Sequence, residues 1–282
     1  MKYLYLIVVI FLISLQNTLK KDYNRKTTAS DTFYFSFFAT LGSMMFFLIS
    51  SRFQPDFCPE LLPYSTAFGL SFASAMAGSF TAIRHGSLSI TMLVSSYSLV
   101  IPTFYGVFAL NDEISISAGI GIVLLLISLF LINKKSENKK NDIKWLTGLI
   151  FSFLGNGLCS VILKLEQLKF NGGYKNEFML YSLAISALIL LTLAVYKKES
   201  LKRFIGAGIY MSVLCGTASG AMNYLVMVLT ATINNSILFP TMSAGGIVIG
   251  FILAVFLYKE KLSRLQLTGY FMGVLSVILL NI

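Results

Sequence analysis

Five short polar groups interrupt otherwise apolar stretches of the chain: Gln16-Asn17, Ser96-Tyr97, Asn156, Asn223-Tyr224 and Asn234-Asn235. Amides, hydroxyls and a phenol donate and accept hydrogen bonds without carrying charge. Such a set can hold and release an uncharged or zwitterionic molecule. Side chains of this kind are costly in hydrocarbon unless they face protein or water. An amide between helices also bonds a neighbouring helix, so every one of these positions has a packing reading beside the binding one. Covalent chemistry has less to work with. The single histidine, His85, has Ser87 and Ser89 nearby, but there is no Gly-x-Ser-x-Gly turn and no acidic pair at depth, and no enzyme is expected. Cys58, Cys159 and Cys215 are odd in number and lack metal-ligand spacing. They read as small packing residues, with neither a metal nor a cofactor implied.

These groups must be positioned by elements that suit an unusual composition. Of 282 residues, 56% are hydrophobic and 12% charged, about half the usual charged share of a soluble domain. Mean hydropathy is +0.78. The pattern excludes a soluble enzyme, a disordered chain, a collagen-like fibre and a disulfide-stapled domain. Continuous apolar runs, without period-two alternation, argue against an outer-membrane barrel. The net charge of +10 sits in short clusters between apolar runs and forms no basic face, so nucleic acid is not an expected partner.

A helix needs about 20 apolar residues to cross a bilayer. Ten segments qualify, at roughly 3–19, 32–50, 61–83, 86–110, 116–132, 145–163, 178–196, 204–229, 233–257 and 264–282. The fold expected is an all-α polytopic membrane protein. The segment from Met1 to Leu19 is kept as the first span, because no small-residue cleavage site follows it. Trp145, beside Lys144, suits the headgroup boundary. Ten alternating spans would put seventeen Lys and Arg on one side and five on the other. The positive-inside rule then places both termini outside the cytoplasm, with the chain in a bacterial plasma membrane.

Sliding the second half back by 147 residues aligns Ser89-Ile90 with Ser236-Ile237, Ser96 with Ser243, Phe104 with Phe251 and Glu113 with Glu260. One further residue of offset aligns Gly121 with Gly269, Ser128 with Ser276 and Asn133 with Asn281. Residues 1–134 and 145–282 are therefore read as two five-helix repeats joined by a basic linker, 135–144. An odd number of spans inverts the second repeat, a plan common in secondary transporters.

Ser89 through Glu113-Ile114-Ser115, and Ser236 through Glu260-Lys261-Leu262-Ser263, each precede a glycine-bearing last span (Gly119 and Gly121; Gly269 and Gly273). In these residues the chain resembles the drug/metabolite transporter superfamily, in its ten-span EamA-like branch. The resemblance implies that Glu113 and Glu260 are the recurrent acids closing the fourth and ninth helices. It also implies that the first, fourth, sixth, eighth and ninth spans surround the cavity, and that both termini are cytoplasmic, against the count above. The first copy, Asn111-Asp112-Glu113-Ile114-Ser115-Ile116, is one residue short of that pattern.

Pro102 and Pro240 each remove a backbone bond inside a cavity-lining span and are expected to kink it. Small residues at four-residue spacing (Gly69, Ala73 and Ala77; Gly216 and Gly220; Gly246 and Gly250) allow close helix packing. All twelve acidic residues are read at span ends or in loops. Small multidrug exporters related to the superfamily use a glutamate in their first helix, and none lies between Tyr3 and Leu19. Arg84-His85 could draw an anion to one mouth.

The function expected is a secondary carrier that exports or exchanges a small, amino-acid-like metabolite by alternating access. The alternatives are a proton-coupled multidrug exporter and a receptor or assembly subunit that moves nothing. Expected partners are the lipid bilayer, the substrate and, in a homodimer, a second copy of the chain.

Overall fold

The computed structural model describes residues 2–27, 31–53, 56, 58–110, 115–133, 143–171, 173–230 and 235–279. Among them there are helices and turns and no strand. The helices are α1 (Lys2–Lys26), α2 (Thr32–Ser50), α3 (Leu62–His85), α4 (Leu88–Ser96), α5 (Val100–Leu110), α6 (Ile116–Asn133), α7 (Ile143–Phe170), α8 (Lys175–Tyr196), α9 (Leu201–Ala207), α10 (Ile209–Thr230), α11 (Asn235–Phe256) and α12 (Arg264–Leu279). Among the described residues, six helical segments are long and apolar enough to cross a membrane: Tyr3–Lys26, Thr32–Ser50, Pro59–His85, Leu88–Gly106, Ile143–Phe170 and Lys175–Tyr196. Shorter apolar helices follow at Gly119–Ser128, Thr241–Phe256 and Arg264–Leu279. The protein is an integral membrane protein by this measure.

Several span limits differ from the sequence reading. The first helix does not stop at Leu19 but runs to Lys26, and the sixth span does not stop at residue 163 but runs to Phe170. In both places charged residues read as loop prolong the helix instead. The reason at α1 is an aromatic cluster at one end of the bundle. Tyr23 is fully buried, with its ring centroid 5.0 Å from Phe35, 5.8 Å from Phe80 and 6.0 Å from Phe204. Burying such rings stabilises the extra turns more than hydrating them would. The expected span 86–110 is two helices, α4 and α5, separated by a 3-10 turn at Tyr97–Leu99. Pro102 has no N–H to donate to the Ser98 carbonyl, which weakens the α-helical ladder at that turn. By contrast, α11 continues as helix through Pro240. The expected span 204–229 is broken between α9 and α10 at Gly208.

The helices meet through small residues and hydroxyls. On α10, a Cβ added to Gly216 would run into the Ala39 carbonyl oxygen of α2, so only glycine fits this crossing. Ser43 of α2 donates to the Gly216 carbonyl at 2.8 Å, closing the same contact. On α7, a Cβ at Gly155 would lie 2.6 Å from the Ser71 oxygen and the Ala75 nitrogen of α3. Without a hydrophobic drive between helices in lipid, such close backbone approach is what holds them. At the α6–α12 contact, Ser128 donates to the Gly269 carbonyl and Ser276 to the Gly121 carbonyl, both at 2.7 Å. The order of these pairs makes α6 and α12 antiparallel. The bonds sit seven residues apart along each helix, about 10 Å.

Two carboxylates tie helix ends together at the end of the bundle where Tyr23 lies. Helices α8 and α11 both finish in a lysine of positive φ, Lys198 at 54° and Lys259 at 53°. The following glutamate N–H then bonds back into the helix, Glu199 to Ala194 at 3.1 Å and Glu260 to Ala254 at 3.0 Å. That turn is a left-handed helix stop usually made by glycine. It aims each carboxylate at the start of another helix. Glu199 accepts from the N–H groups of Phe33 at 3.1 Å and Tyr34 at 2.9 Å, the first turn of α2. Glu260 accepts from the Leu88 N–H at 2.7 Å and the Ser89 hydroxyl at 2.9 Å, the first turn of α4. An anion there satisfies orphan donors and complements the helix dipole.

Two predictions follow from these contacts. Gly216→Ala should lose about 1–3 kcal/mol through overpacking. Gly119→Ala, whose new methyl meets nothing within 4 Å, should instead gain up to about 1 kcal/mol from helix propensity. Unfolding midpoints in detergent check both, and an unchanged Gly216→Ala would mean the crossing is looser than described. Glu199 is pushed up to about 6 from 4.5 by burial, against the pull of its backbone N–H bonds. The folded state therefore binds more protons than the unfolded one between those values. Stability should be greatest below pH 4.5, fall as pH rises to about 6, and then level off. Glu199→Gln should flatten that slope.

Candidate functional site

The polar positions singled out from sequence divide between two regions. In the first, α4 and α7 meet through hydroxyls. The Asn156 amide donates to the Ser152 carbonyl at 2.8 Å and to the Ser152 hydroxyl at 3.3 Å. The Ser152 hydroxyl lies 3.0 Å from that of Ser95 on α4. Ser96, next in the chain, bonds its own helix at Met92, 2.9 Å away. Tyr97 is buried, with its hydroxyl 2.5 Å from that of Ser128 on α6. It therefore extends the Ser128–Gly269 bond into a chain from the broken helix to α12. Of the expected positions, Asn156 is thus linked to α4 through Ser152 and Ser95, while Ser96 turns to its own helix and Tyr97 to α6.

The second region lies on α1 and α10. Gln16 is buried, and its backbone oxygen faces the Cys215 thiol of α10 at 3.7 Å. Asn17 donates to Ile13 at 3.1 Å and Asn223 to Ser219 at 2.9 Å, both within their own helices. Those bonds fix the two amide rotamers. Neither amide oxygen accepts a hydrogen bond among the described residues. Tyr224 is half-exposed, its ring 5.9 Å from that of Phe46. No described contact joins Asn156 to Asn223. Asn235 opens α11, with its side chain outside the described residues. Asn234 and Glu113 also lie outside them.

Glu260 serves a larger cluster. Lys21 of α1 lies 3.6 Å from its carboxylate and donates to the Gly86 carbonyl at 2.9 Å. The Tyr258 hydroxyl donates to Asp22 at 2.7 Å and to the Thr18 carbonyl at 3.2 Å. Burial, reinforced by the Asp22 carboxylate, pushes the Tyr258 phenol upward, so it stays a donor. Three helices, α1, α4 and α11, are therefore closed on one another at this end. The hydroxyls near His85 serve the same structure: Ser87 caps α4 by accepting from Ile90 at 3.3 Å, and Ser89 donates to Glu260. An apolar recess of about 500 Å³ runs along α6 past Ile116, Ile120 and Val123. Its polar lining is negligible.

Three functional candidates, Glu199, Lys20 and Asn24, were not singled out from sequence. Glu166, which sequence offers as a residue that could couple protons or ions, has surroundings that sequence did not show. Glu199 is hidden in a run of charges, although Tyr196-Lys197-Lys198-Glu199 parallels Tyr258-Lys259-Glu260 closely enough to have signalled it. Glu166 falls beyond the expected span 145–163 but inside the last turns of α7, near the span's end. It sits within α7, fully buried, with neither oxygen hydrogen-bonded among the described residues. Lys20 is 5% exposed, inside α1, and donates to the Ser79 hydroxyl of α3 at 2.8 Å. Asn24, one turn further, has a buried side-chain oxygen without a partner among the described residues. The four-residue spacing of Gln16, Lys20 and Asn24 was the available signal.

No family model matches the chain. It is similar to an uncharacterised protein of Haemophilus influenzae, 23% identical over 218 residues that make up 74% of this chain and 72% of the relative. A crystal structure of a protein 12% identical in sequence superposes with a TM-score of 0.65, over 99% of this chain and 95% of that one. At that identity the likeness is one of fold.

Proposed function

We propose that the protein is a secondary carrier of the drug/metabolite type, with ten spans in two inverted five-helix repeats, 1–134 and 145–282. It exports or exchanges a small uncharged or zwitterionic metabolite by alternating access. The observation that carries this reading is the α6–α12 contact. Ser128 and Gly121 stand in the first half where Ser276 and Gly269 stand in the second, and each serine bonds the other half's glycine. Self-complementary exchange of this kind is what a two-fold axis between the halves would produce.

Other contacts support the same exchange of halves. Helix α3 packs on α7 as α1 packs on α10. Helix α2 packs on α10 as α8 packs on α3. The run of contacts makes α3 antiparallel to α7, from Ala82 at Gly148 to Phe68 at Cys159. It makes α1 parallel to α11, from Ile10 at Gly245 to Thr18 at Tyr258. These directions suit a chain that crosses ten times and is duplicated upside down. Inverted repeats recur in carriers because two like halves can rock about a shared site near the midplane. The deep amides and hydroxyls suit a neutral or zwitterionic cargo.

The test loads liposomes containing purified protein with a mixed pool of cell metabolites and identifies what leaves by mass spectrometry. One class of small molecule should leave only through the protein. The Asn156→Ala, Asn223→Ala double variant should slow it by about tenfold, the effect of losing two hydrogen bonds of about 0.5–1.5 kcal/mol each. Folded protein that releases nothing under any imposed gradient would set the carrier aside.

A further inference from the structure

Lys20 stands six residues from the middle of α1, about 9 Å along the axis. The side chain is 5% exposed, so the ammonium group is held inside the bundle and away from solvent. Its surroundings are the Ser79 hydroxyl of α3, the Cys215 thiol of α10 and, on its own helix, Gln16 and Asn24. An ammonium offers three donors, and Ser79 takes one. Among the described residues no carboxylate lies within ion-pair distance of Lys20. The acids at this end are otherwise engaged: Asp22 with Tyr258, Glu260 with Lys21 and the start of α4, Glu199 with the start of α2.

Asn24 adds a second, independent demand. Its Oδ1 is buried and accepts no hydrogen bond among the described residues, while its Nδ2 reaches the Phe80 carbonyl at 3.5 Å. Residues four apart lie above one another on a helix face, about 6 Å between Cβ atoms. A cation lacking an anion thus stands one turn from an acceptor lacking a donor.

We infer that Lys20 and Asn24 form a binding site for an α-amino carboxylate zwitterion, its carboxylate on the Lys20 Nζ and its ammonium donating to the Asn24 Oδ1. The inference deepens the carrier reading by naming the class of cargo, and rests on that reading for the ligand's route. In the state described, Lys20 itself fills the space between α1, α3 and α10, and the Lys21–Glu260 cluster closes the end of the bundle beside it. The ligand enters when those helices part. A role for Lys20 in packing alone would leave both unmet demands in place.

Binding can be read without transport. Purified full-length protein in detergent is titrated with a mixture of the common L-amino acids, with the matching primary amines, and with the matching carboxylic acids that lack the amino group. The unfolding midpoint of the wild type should rise with amino acids and respond less to either half-ligand. Lys20→Met removes a buried charge while keeping the volume. It should therefore raise the midpoint without ligand, yet weaken the amino-acid response at least about tenfold, the loss of one charge-assisted bond. Asn24→Leu should abolish the preference for amino acids over plain carboxylates. Wild-type protein that answers no amino acid, or Lys20→Met that answers like wild type, overturns the site. Release of some other metabolite from the loaded liposomes would then leave the carrier standing without it. Amino-acid binding with no release would leave the site standing and the carrier reading fallen.

Discussion

Inside hydrocarbon there is no water to hydrogen-bond, so every backbone and side-chain polar group must be satisfied by the protein itself. That constraint organises this molecule. Hydroxyls of Ser43, Ser128 and Ser276 reach glycine carbonyls on other helices, and at Gly216, bonded by Ser43, the missing side chain is what lets the two backbones approach. The bonded carbonyls already serve their own helices through one lone pair, so the hydroxyl uses the second without breaking the ladder. Close approach and satisfaction are then one event. Without the glycine the serine could not reach, and without the serine the approach would gain only dispersion.

The same rule governs helix ends, with charge added. At one end of the bundle the first turns of α2 and α4 expose N–H groups that no intrahelical partner takes, and Glu199 and Glu260 take them from neighbouring helices. Each carboxylate is delivered by a lysine in the left-handed conformation, which costs roughly 1–2 kcal/mol for a residue with a Cβ. Charge-assisted bonds of about 1.5–3 kcal/mol each outweigh that strain. The two clasps differ in their surroundings. Glu260 also lies 3.6 Å from the Lys21 ammonium group. Among the described residues no ion pair joins Glu199, which feels Asp31 instead, so burial dominates its titration.

Hydropathy made the helical membrane character legible, because a bilayer imposes a length and an apolar composition that few other environments require. Helix ends were less legible. Reading Lys20-Lys21 and Lys164 to Lys169 as loop assumed that charge marks water. In α1 the buried rings of Tyr23, Phe35 and Phe80 carry the helix past the charge, and in α7 the helix carries Glu166 into a fully buried position. The offset of Gly121–Ser128 onto Gly269–Ser276 was visible in the residues, but its meaning was not. Only the contact shows that each serine bonds the glycine seven residues before its aligned counterpart. Polar positions chosen by depth fared unevenly for a physical reason: an amide one turn from a helix carbonyl can use that oxygen's second lone pair, as Asn17, Asn156 and Asn223 do, and sequence alone does not reveal what the remaining oxygen faces.

The contacts also differ in how readily they could part. Where α3 meets α7 and α2 meets α10, backbones touch at Gly155 and Gly216, and separating them would open voids along whole helices. Where α1 meets α11, the glycines Gly245 and Gly246 face the side chains of Ile10 and Ile13 instead of backbone. Side chains change rotamer far more cheaply than backbones change path. Under the carrier reading, the backbone-tight pairs move as rigid bodies and the α1–α11 seam yields. The cluster of Lys21, Tyr258, Asp22 and Glu260 ties that seam at its end. Breaking it requires rehydrating charges that already sit near water. Lys20 stands next to Lys21 at that end, on a helix that packs on α3 of one tight pair and on α10 of the other. A cargo that neutralised Lys20 would therefore act on the helix whose two neighbours belong to different moving bodies.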